Sequence, residues 1–437
     1  MGRGHGDLLA APARQDRPPG RHRFVLGRAF HPPAELEVHG VAGRVQRRQA
    51  ADADDAAQRR GHQTTRRGRG PGGDHRRSAG SRAERVLPRP QPDVEGNPVL
   101  LLRDGTIRAA MESADVVGGL EGMLSRPVDG SLELPARLTV DAAGGQGFLR
   151  LMPVIAYDTG YVGYKAMNYH PVHGVRYLIS LISLEDGELL ALLDADWITA
   201  YRTAATAAIA VKHLAPPDAE TLTVIGSGTQ ARALLRASSE VHLPRRVLVY
   251  SPTPANRKLF AEEMSAELGL SVEPVEDLPA ALKSADVILS AHRAGATPLI
   301  YPDVVKKGAL VCAISSVRPA HREVDASLWG CSRVVVDDLG HVLESGDGRA
   351  ADALGLAGAD KVAELWQVLR DPSRGRRSAE DRVLYKSVGT AEQDIALAAM
   401  VYARARSLGM GEELAEFPSR RPIQSRVLAT ADETRRN

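Results

Sequence analysis

The sequence has few cysteines and few aromatic residues. It contains 437 residues with two cysteines, Cys312 and Cys331, and only 4% aromatics. Two cysteines are too few for a small secreted fold that is held together by several disulfides, and too few for a four-cysteine zinc site. No run of about 18 apolar residues occurs, which excludes a membrane-spanning helix. The first residues lack the apolar core of a signal peptide, so we expect a cytoplasmic protein that does not bind membranes.

Lysine is missing from the first part of the chain. Residues 1–95 contain 19 arginines, no lysine and 11 acidic residues, whereas the whole chain has a net charge of +2. No apolar periodicity persists there, so this segment cannot form a packed core. It could be a basic arm for nucleic acid, an inert disordered extension, or sequence translated from an upstream start codon. The lack of lysine favours the last two, so we expect a disordered or mistakenly translated extension and no nucleic-acid partner.

From Val99 onward the composition and the spacing of apolar residues are typical of a globular protein. Apolar segments at 136–141 and 147–157 predict strands. Two further apolar segments, 176–184 and 187–194, flank a Glu-Asp-Gly turn, which is typical of a hairpin. These elements predict a mixed α/β unit of about 100 residues.

The next part of the chain alternates between helices and strands. An alanine-rich helix is predicted over 195–215, with Asp196 as its N-cap. Short apolar segments separated by helical stretches then indicate a parallel sheet covered on both faces. A long helix is predicted over 390–410. The predicted strands of the parallel sheet are 222–226, 247–251, 285–291, 309–316 and 333–338.

A glycine-rich turn follows the first strand of that sheet. The G-x-G-x-x-A pattern begins at Gly226, which permits a tight turn, and Gly228 lets backbone amides approach a pyrophosphate. Ala231 keeps the following helix close to the strand. Because the turn lies between a predicted strand and a predicted helix, it predicts a dinucleotide site.

The residues at the end of the second predicted strand of the parallel sheet indicate whether NAD or NADP is preferred. An NAD enzyme usually carries an acidic residue there, but this chain has Ser251, followed by Arg257 and Lys258. Without a carboxylate to repel it, a 2′-phosphate could be accepted and could pair with these cations. We therefore expect NAD(P) with a preference for NADP, and NAD is not excluded.

Several motifs occur in an order that resembles the ornithine cyclodeaminase/mu-crystallin family, over about Val99 to Phe417. This resemblance implies a homodimer that acts on a small α-imino or α-amino acid. The motifs are ARLTVD (136–141), GYKAMN (163–168), TAYRTAATAAIAVKHLA (199–215), VIGSGTQA (224–231), ISSVRPAHREVD (314–325) and YKSVGTAEQDIA (385–396).

The resemblance also implies an α/β fold with two domains. A Rossmann-type doubly wound parallel sheet over 216–385 would bind NAD(P). A mixed α/β domain over 96–215, completed by the C-terminal helix within 386–417, would bind substrate and form the dimer. Residues 418–437 would be a mobile tail.

Site residues follow from the same motifs. Arg137, Lys165 and Arg202 would bind the substrate carboxylate, and Val388 would also contact substrate. An arginine early in a helix opposes the helix dipole, so a bound carboxylate would relieve that conflict at Arg202. The predicted catalytic residues are Lys165, as proton donor, and His321, as acid or base. The predicted cofactor residues are Arg202, Gly226, Gly228, Thr229, Gln230, Ser251, Ala291 and Ser387.

Two departures from the cyclodeaminase pattern shape the expected activity. Val317 and Arg150 stand where cyclodeaminases carry carboxylates that would act on a second amino group. We therefore expect an NAD(P)-dependent ketimine reductase or amino-acid dehydrogenase. An ornithine cyclodeaminase and a catalytically silent, cofactor-binding crystallin remain the alternatives. His170 and His173 lack further ligands at recognisable spacing, so we expect no metal.

Overall fold

The computed structural model describes most of the chain beyond residue 97. The predicted extension over 1–95 and almost all of the predicted tail over 418–437 lie outside the described residues. The described residues are 98–112, 114–125, 130–415 and 417–419.

Two eight-stranded sheets and eleven α-helices make up the described part of the chain. The strands are β1 Val99–Leu102, β2 Leu132–Glu133, β3 Leu138–Asp141, β4 Phe148–Ala156, β5 Tyr161–His170, β6 Gly174–Ser183, β7 Leu189–Asp194, β8 Thr221–Ile225, β9 Arg246–Tyr250, β10 Val272–Pro274, β11 Val287–Ser290, β12 Leu310–Ala313, β13 Arg333–Val336, β14 Val362–Glu364, β15 Val383–Lys386 and β16 Glu412–Leu414. The helices are α1 Asp104–Met111, α2 Val116–Leu124, α3 Asp196–Leu214, α4 Thr229–Val241, α5 Pro254–Leu268, α6 Leu278–Ser284, α7 Ala326–Gly330, α8 Leu339–Val342, α9 Gly346–Asp352, α10 Leu365–Arg370 and α11 Ala391–Ser407.

The first sheet is mainly antiparallel. Its order is β16-β1-β7-β6-β5-β4-β2, and β3 pairs with β4. Among the described strands of this sheet, only β1 and β7 pair in parallel. The predicted hairpin is confirmed as β6 and β7, and Gly187 in the connecting turn has a φ of +74°. β5 was not predicted from the sequence because polar residues such as Lys165, Asn168 and His170 interrupt its apolar pattern; of these, Lys165 lines a cavity.

Strand register decides which side chains face that cavity. Arg150 on β4 pairs with Thr139 on β3 and with Met167 on β5. Two positions further along β4, Met152 pairs with Lys165. Because side chains alternate between the faces of a strand, all five residues lie on one face of the sheet.

The second sheet is parallel throughout, with the order β10-β9-β8-β11-β12-β15-β13-β14. This confirms the predicted doubly wound α/β fold, although β10, β14 and β15 were not predicted. The strand order reverses between β8 and β11, where such folds bind their ligands. The division into two domains at residues 215 and 385 stays a prediction.

Helix α3 is almost entirely buried and contacts elements associated with both sheets. Its many alanines present little bulk, so neighbouring helices can pack close to it. Asp196 was predicted as the N-cap, and this is wrong. Ala195 occupies that position and Asp196 is the first helical residue, where its charge still favours the helix dipole.

Candidate functional site

A cavity of about 320 Å³ lies between the first sheet and the carboxyl ends of the second. Most of the predicted substrate and cofactor residues line it together. Its lining residues include Arg137, Arg150, Lys165, Tyr177, Arg202, Gln230, Ala291, His292, Arg293, Val317, Ser387, Val388 and Gly389.

A buried carboxylate joins two of the predicted substrate residues. Asp394 on α11 is fully buried, and its Oδ2 lies 2.7 Å from the Lys165 ammonium nitrogen. Its Oδ1 lies 2.9 Å from Nε of Arg202. The charge conflict predicted at Arg202 is therefore already relieved by Asp394, rather than by substrate alone. This residue was not predicted from the sequence, although an aspartate within the apolar stretch of a helix is a recognisable signal of a buried partner.

The environment of Lys165 favours loss of its proton. Burial, together with the nearby charges of Arg202 and Arg137, outweighs the attraction of Asp394 and lowers the pKa of Lys165 to about 8. An amine with a pKa near neutrality can exchange a proton with a bound substrate at physiological pH.

The third predicted substrate residue is tied to a neighbouring turn. One guanidinium nitrogen of Arg137 donates hydrogen bonds to the carbonyl oxygens of Val388 and Gly389. Asp337 supports the same turn by accepting bonds from the Ser387 hydroxyl and from the Val388 amide, at 2.7 and 2.9 Å. Asp337 is a further residue that the sequence analysis missed.

Glycine is required at position 389. Its φ is +76°, and a Cβ there would come within 1.9 Å of the Arg202 guanidinium. Any side chain would therefore displace Arg202 from Asp394.

Gln230, from the predicted dinucleotide turn, and Ala291, after β11, line the cavity and form its dinucleotide wall. Gly226 has a φ of +115°, and a Cβ there would lie 2.5 Å from the carbonyl oxygen of Ala291, so only glycine fits between β8 and β11. Gly228 precedes α4 and has open space beside it. The Gln230 amide oxygen is buried without a hydrogen-bond partner in the described structure. These features fit a dinucleotide whose pyrophosphate lies against the start of α4.

The two cations after β9 have different surroundings. Arg257 is buried, donates to the Ser251 carbonyl at 3.1 Å and pairs with Glu276. These contacts hold the Arg257 guanidinium in the described structure, and its pairing with a 2′-phosphate stays a prediction. The Lys258 side chain remains 74% exposed. The Ser251 hydroxyl accepts a bond from the Ser227 hydroxyl at 3.1 Å.

A second buried charge network supports the cofactor wall. The Lys386 ammonium lies 2.7 Å from Glu323 and 3.1 Å from Asp347, and all three side chains are buried. Ser290 donates to Glu323 at 2.9 Å and contacts the His292 ring nitrogen Nδ1 at 3.1 Å. Burial lowers the pKa of His292, so its neutral imidazole faces the cavity.

Some predicted site residues lie outside the cavity wall. His321 is on the loop after β12, where its carbonyl accepts a bond from Ser316, and it is not among the described residues that line the cavity. Gly226, Gly228, Thr229 and Ser251 are likewise absent from the lining: the first three lie between β8 and the start of α4, and Ser251 directly follows β9. Val317 and Arg150, the two departures from the cyclodeaminase pattern, both line the cavity.

Metal-binding clusters and membrane-spanning helices are absent from the described residues. Within the described ranges, no group of three or more histidine, cysteine or acidic side chains is arranged to hold a metal ion. None of the described helices is both long enough and apolar enough to cross a membrane.

Comparison with known proteins identifies clear relatives. The model of the ornithine cyclodeaminase/mu-crystallin family matches residues 99–409. Ketimine reductase mu-crystallin from Rattus norvegicus is 31% identical over 317 residues, covering 70% of this chain and 96% of the relative.

Solved structures give the same result. Thermococcus litoralis Δ1-pyrroline-2-carboxylate reductase, in complex with NADH and L-proline, is 30% identical with a TM-score of 0.67 and covers 72% of this chain and 100% of its own. The iminosuccinate reductase of Paracoccus denitrificans, in complex with NAD+, is 26% identical with a TM-score of 0.68 and covers 72% of this chain and 99% of its own.

Proposed function

The chain belongs to the ornithine cyclodeaminase/mu-crystallin family, and from this premise we propose that it is a nicotinamide-dependent oxidoreductase. It transfers a hydride to or from the α-carbon of an α-imino or α-amino acid, as a ketimine reductase or an amino-acid dehydrogenase. When bound, the cofactor supplies or accepts the hydride, and the side chains of this chain bind the substrate and move its proton.

One observation carries the proposal. Lys165 and Arg202, held by Asp394, share a single cavity with Gln230 and Ala291 of the dinucleotide wall. A carboxylate bound by these cations would hold the neighbouring α-carbon against that wall. Orientation of this kind is the main contribution that a protein makes to hydride transfer.

The charge around the three predicted carboxylate-binding residues, Arg137, Lys165 and Arg202 (the clamp), suits a substrate carboxylate. Asp394 pairs with Lys165 and Arg202, and the charges of Asp337 and Glu344 reach Arg137, but no carboxylate among the described residues lines the cavity beside these three cations. Burial lowers the pKa of Arg137 from its usual value, because a desolvated cation without a full counter-charge is unfavourable. A substrate carboxylate would supply the missing negative charge and could bind the guanidinium with two hydrogen bonds.

Lys165 is the proposed proton donor. In imine reduction the α-carbon gains a hydride and the nitrogen gains a proton. With a pKa of about 8, the Lys165 ammonium can release that proton near neutral pH. His321 receives no substrate contact in this proposal, because it does not line the cavity.

The cofactor is proposed to be NAD(P)H, with acceptance of the 2′-phosphate of NADP. A serine, Ser251, directly follows β9, at the place where a carboxylate would repel that phosphate. Lys258 is exposed nearby and supplies a cation, whereas Arg257 is already paired with Glu276.

Cyclodeamination is the less favoured function. That reaction needs a base for the second amino group of ornithine. The positions available for such a base carry Val317, which has no polar side-chain atom, and Arg150, which is cationic; both line the cavity.

The proposed assembly is a homodimer formed through the outer face of the first sheet. Leu138 and Val140 on β3 are each 57% exposed, and their cross-strand partners are Leu151 and Leu149 on β4. These residues alternate with the cavity-facing ones, so the apolar row lies on the opposite face. Burying it against a second copy would remove this apolar surface from water.

A turnover assay tests the function. The protein is incubated with NADH or NADPH and a panel of cyclic and acyclic α-imino acids, and loss of absorbance at the nicotinamide band is followed. Turnover that falls by at least about 100-fold in Lys165→Met supports the proposal. Cofactor binding without turnover of any imino or amino acid would instead favour a silent crystallin-like protein.

A further inference from the structure

His292 is a residue of the cavity wall whose chemistry the proposed function does not use. It follows β11 and lines the cavity together with Lys165 and Arg202. Its ring is held from one side, because Nδ1 lies 3.1 Å from the Ser290 hydroxyl oxygen. The other ring nitrogen, Nε2, forms no hydrogen bond or ion pair with any residue in the described ranges. Nε2 is therefore the nitrogen left for a molecule in the cavity.

The ionisation of Glu323 decides the protonation of this ring. Glu323 is fully buried, and its Oε1 accepts a hydrogen bond from the Ser290 hydroxyl at 2.9 Å. Its Oε2 accepts from the backbone amides of Ser315 and Ser316 at 2.7 and 2.9 Å. Burial alone would raise the pKa of Glu323, but the Lys386 ammonium 2.7 Å away outweighs burial and the pKa is lowered. The carboxylate is therefore ionised and can only accept hydrogen bonds.

The direction of these bonds fixes the tautomer of His292. A hydroxyl has a single proton, and Ser290 gives it to the ionised Glu323. Ser290 must then accept from the His292 ring, so the proton of the neutral imidazole is on Nδ1 and the lone pair is on Nε2. Burial lowers the pKa of His292 against the attraction of Glu323 and Asp347. The charge of Lys386 adds to this lowering, so the lone pair is free near neutral pH.

Hydride transfer to an imine does not need this base, because Lys165 supplies the one proton that the substrate nitrogen gains. A base is needed when water adds to the imine carbon, as in the interconversion of an imine with a keto acid and ammonium. No carboxylate lines the cavity among the described residues, and Val317 has no polar side-chain atom. Lys165, with a pKa of about 8, is mainly protonated near neutral pH. His292 is the lining residue that combines neutrality with a free lone pair.

We propose that His292, oriented by Ser290 and Glu323, is a second acid–base residue of this cavity and acts on the water that converts the imine into a keto acid. This inference rests on the proposed function and adds a step to it. The step starts from the protonated imine that remains after an amino acid has lost a hydride to the oxidised nicotinamide. As the water oxygen bonds to the imine carbon, Nε2 of His292 takes one water proton.

The second half of the step returns that proton. His292 donates it to the nitrogen of the carbinolamine, the C–N bond breaks, and the hydroxyl oxygen becomes the keto oxygen. The hydroxyl proton leaves with the ammonia as ammonium, so the imidazole is neutral again. The same sequence run backward forms the imine from a keto acid and ammonium before it is reduced.

The test compares a reaction that needs loss of water with one that does not. A panel of 2-oxo acids with ammonium, pyruvate among them, requires imine formation, whereas Δ1-pyrroline-2-carboxylate is already a cyclic imine. Specificity constants with NADH and with NADPH are measured for the full chain, for His292→Asn and for Ser290→Ala. The asparagine amide can still donate to Ser290 but has no basic nitrogen. His242→Gln is the matched control, because His242 is partly buried and bonds to the Ala219 carbonyl at 2.8 Å outside the cavity lining.

The ratio of the 2-oxo acid constant to the cyclic-imine constant should fall at least about 10-fold in His292→Asn, because a positioned general base contributes this much or more. Ser290→Ala should lower the ratio by a smaller factor, since the base remains but its ring is no longer held. His242→Gln should leave the ratio within about twofold.

Three outcomes would overturn the role of His292 and leave the proposed function standing. In the first, the ratio is unchanged in His292→Asn. In the second, both reactions fall equally with weaker cofactor binding, which would place His292 on the cofactor. In the third, the unmodified protein reduces the cyclic imine but uses no 2-oxo acid. Turnover of neither kind of substrate by the unmodified protein would contradict the proposed function and, with it, this inference.

A spectroscopic measurement tests the orientation of the ring without turnover. Nitrogen–proton correlation spectra of the histidine side chains in the full chain, near neutral pH, report which ring nitrogen carries the proton. The signal that is missing in His292→Asn identifies His292. The Nδ1–H tautomer is expected, with a mixture of tautomers in Ser290→Ala. The Nε2–H tautomer in the unmodified protein would overturn the inference, because the lone pair would then face Ser290 rather than the cavity.

Discussion

The Lys165 ammonium and the Asp394 carboxylate lie 2.7 Å apart in a fully buried ion pair, although β5 and α11 come from opposite ends of the described chain. The pair therefore forms only when the last long helix packs against the first sheet. The charge of Asp394 also raises the pKa of Lys165, the proposed proton donor, against the stronger lowering by burial.

Replacement of Asp394 by asparagine should lower the rate of imine reduction and should also lower the pH at which activity declines. Without the negative charge, the pKa of Lys165 falls further below about 8, because Asp394 is the main group that raises it. The kcat for imine reduction should drop about 10- to 100-fold, and its decline should move to lower pH. The pH–rate profile measures this. The control is Glu412→Gln, which removes only a surface partner of Arg103, and an unshifted profile in Asp394→Asn would exclude Lys165 as the titrating group.

Replacement of Arg202 by alanine should shift the same profile in the opposite direction. Arg202 lowers the pKa of Lys165, so its removal should move the decline in kcat to higher pH. Loss of the charge-assisted contact should also weaken the specificity constant by about 2–4 kcal/mol, with a smaller effect on cofactor affinity. Steady-state kinetics and cofactor titration measure these effects. A cofactor affinity that falls as much as the specificity constant would place Arg202 on the cofactor rather than on substrate.

The sequence predicts the parts of this site that depend on local pattern. The turn at Gly226 could be predicted because a strand, a glycine pattern and a helix follow one another directly. The clamp residues could be found only through family motifs, since Arg137, Lys165 and Arg202 lie on different elements. Asp394 and Asp337 were missed because their roles depend on which residues the fold brings next to them.

The strand errors have a related cause. β5 was overlooked because polar residues interrupt its apolar pattern: Lys165 faces the cavity, whereas Asn168 and His170 lie on the opposite face of the sheet. Short strands such as β10 and β14 have only three residues each, too few to show a period of two. Asp196 has the residue type of an N-cap but lies one position inside the helix, and no local pattern distinguishes the two positions.

Glu392 should make the protein less stable as pH rises. Burial, with the negative charges of Asp158, Asp338 and Glu364, raises its pKa from 4.5 to about 7. The folded state therefore keeps a proton that the unfolded chain releases, and stability falls between about pH 4.5 and 7. Glu392→Gln should stabilise the fold by up to about 3 kcal/mol at pH 8 and have little effect at pH 4.

Chemical denaturation at the two pH values measures this difference. Glu262→Gln is a suitable control, because that side chain is 62% exposed and pairs with Lys258 on the surface. A stabilisation by Glu392→Gln that is equal at both pH values would show that packing, rather than proton release, is responsible.

Replacement of Ser251 by aspartate should shift cofactor preference towards NAD. The new carboxylate would accept a bond from the ribose 2′-hydroxyl and repel a 2′-phosphate. The ratio of kcat/KM for NADH to that for NADPH should rise about 10-fold or more, while Ser251→Ala should leave it within about twofold. An unchanged ratio in the aspartate variant would mean that the ribose lies away from the end of β9.

The unmodified protein should form no proline from ornithine when NAD+ or NADP+ is present. Cyclodeamination needs a base at the second amino group, and the cavity offers a valine at position 317 and a cation at Arg150 in the corresponding places. Arg150 would also repel the ornithine ammonium group. Val317→Asp combined with Arg150→Glu supplies two carboxylates and reverses the repulsion, so trace proline formation is expected from the double variant. Product analysis by chromatography measures both reactions, with Val317→Asn as an uncharged control. Robust proline formation by the unmodified protein would disprove this account, because neither the valine nor the arginine can perform the proton transfer of a carboxylate.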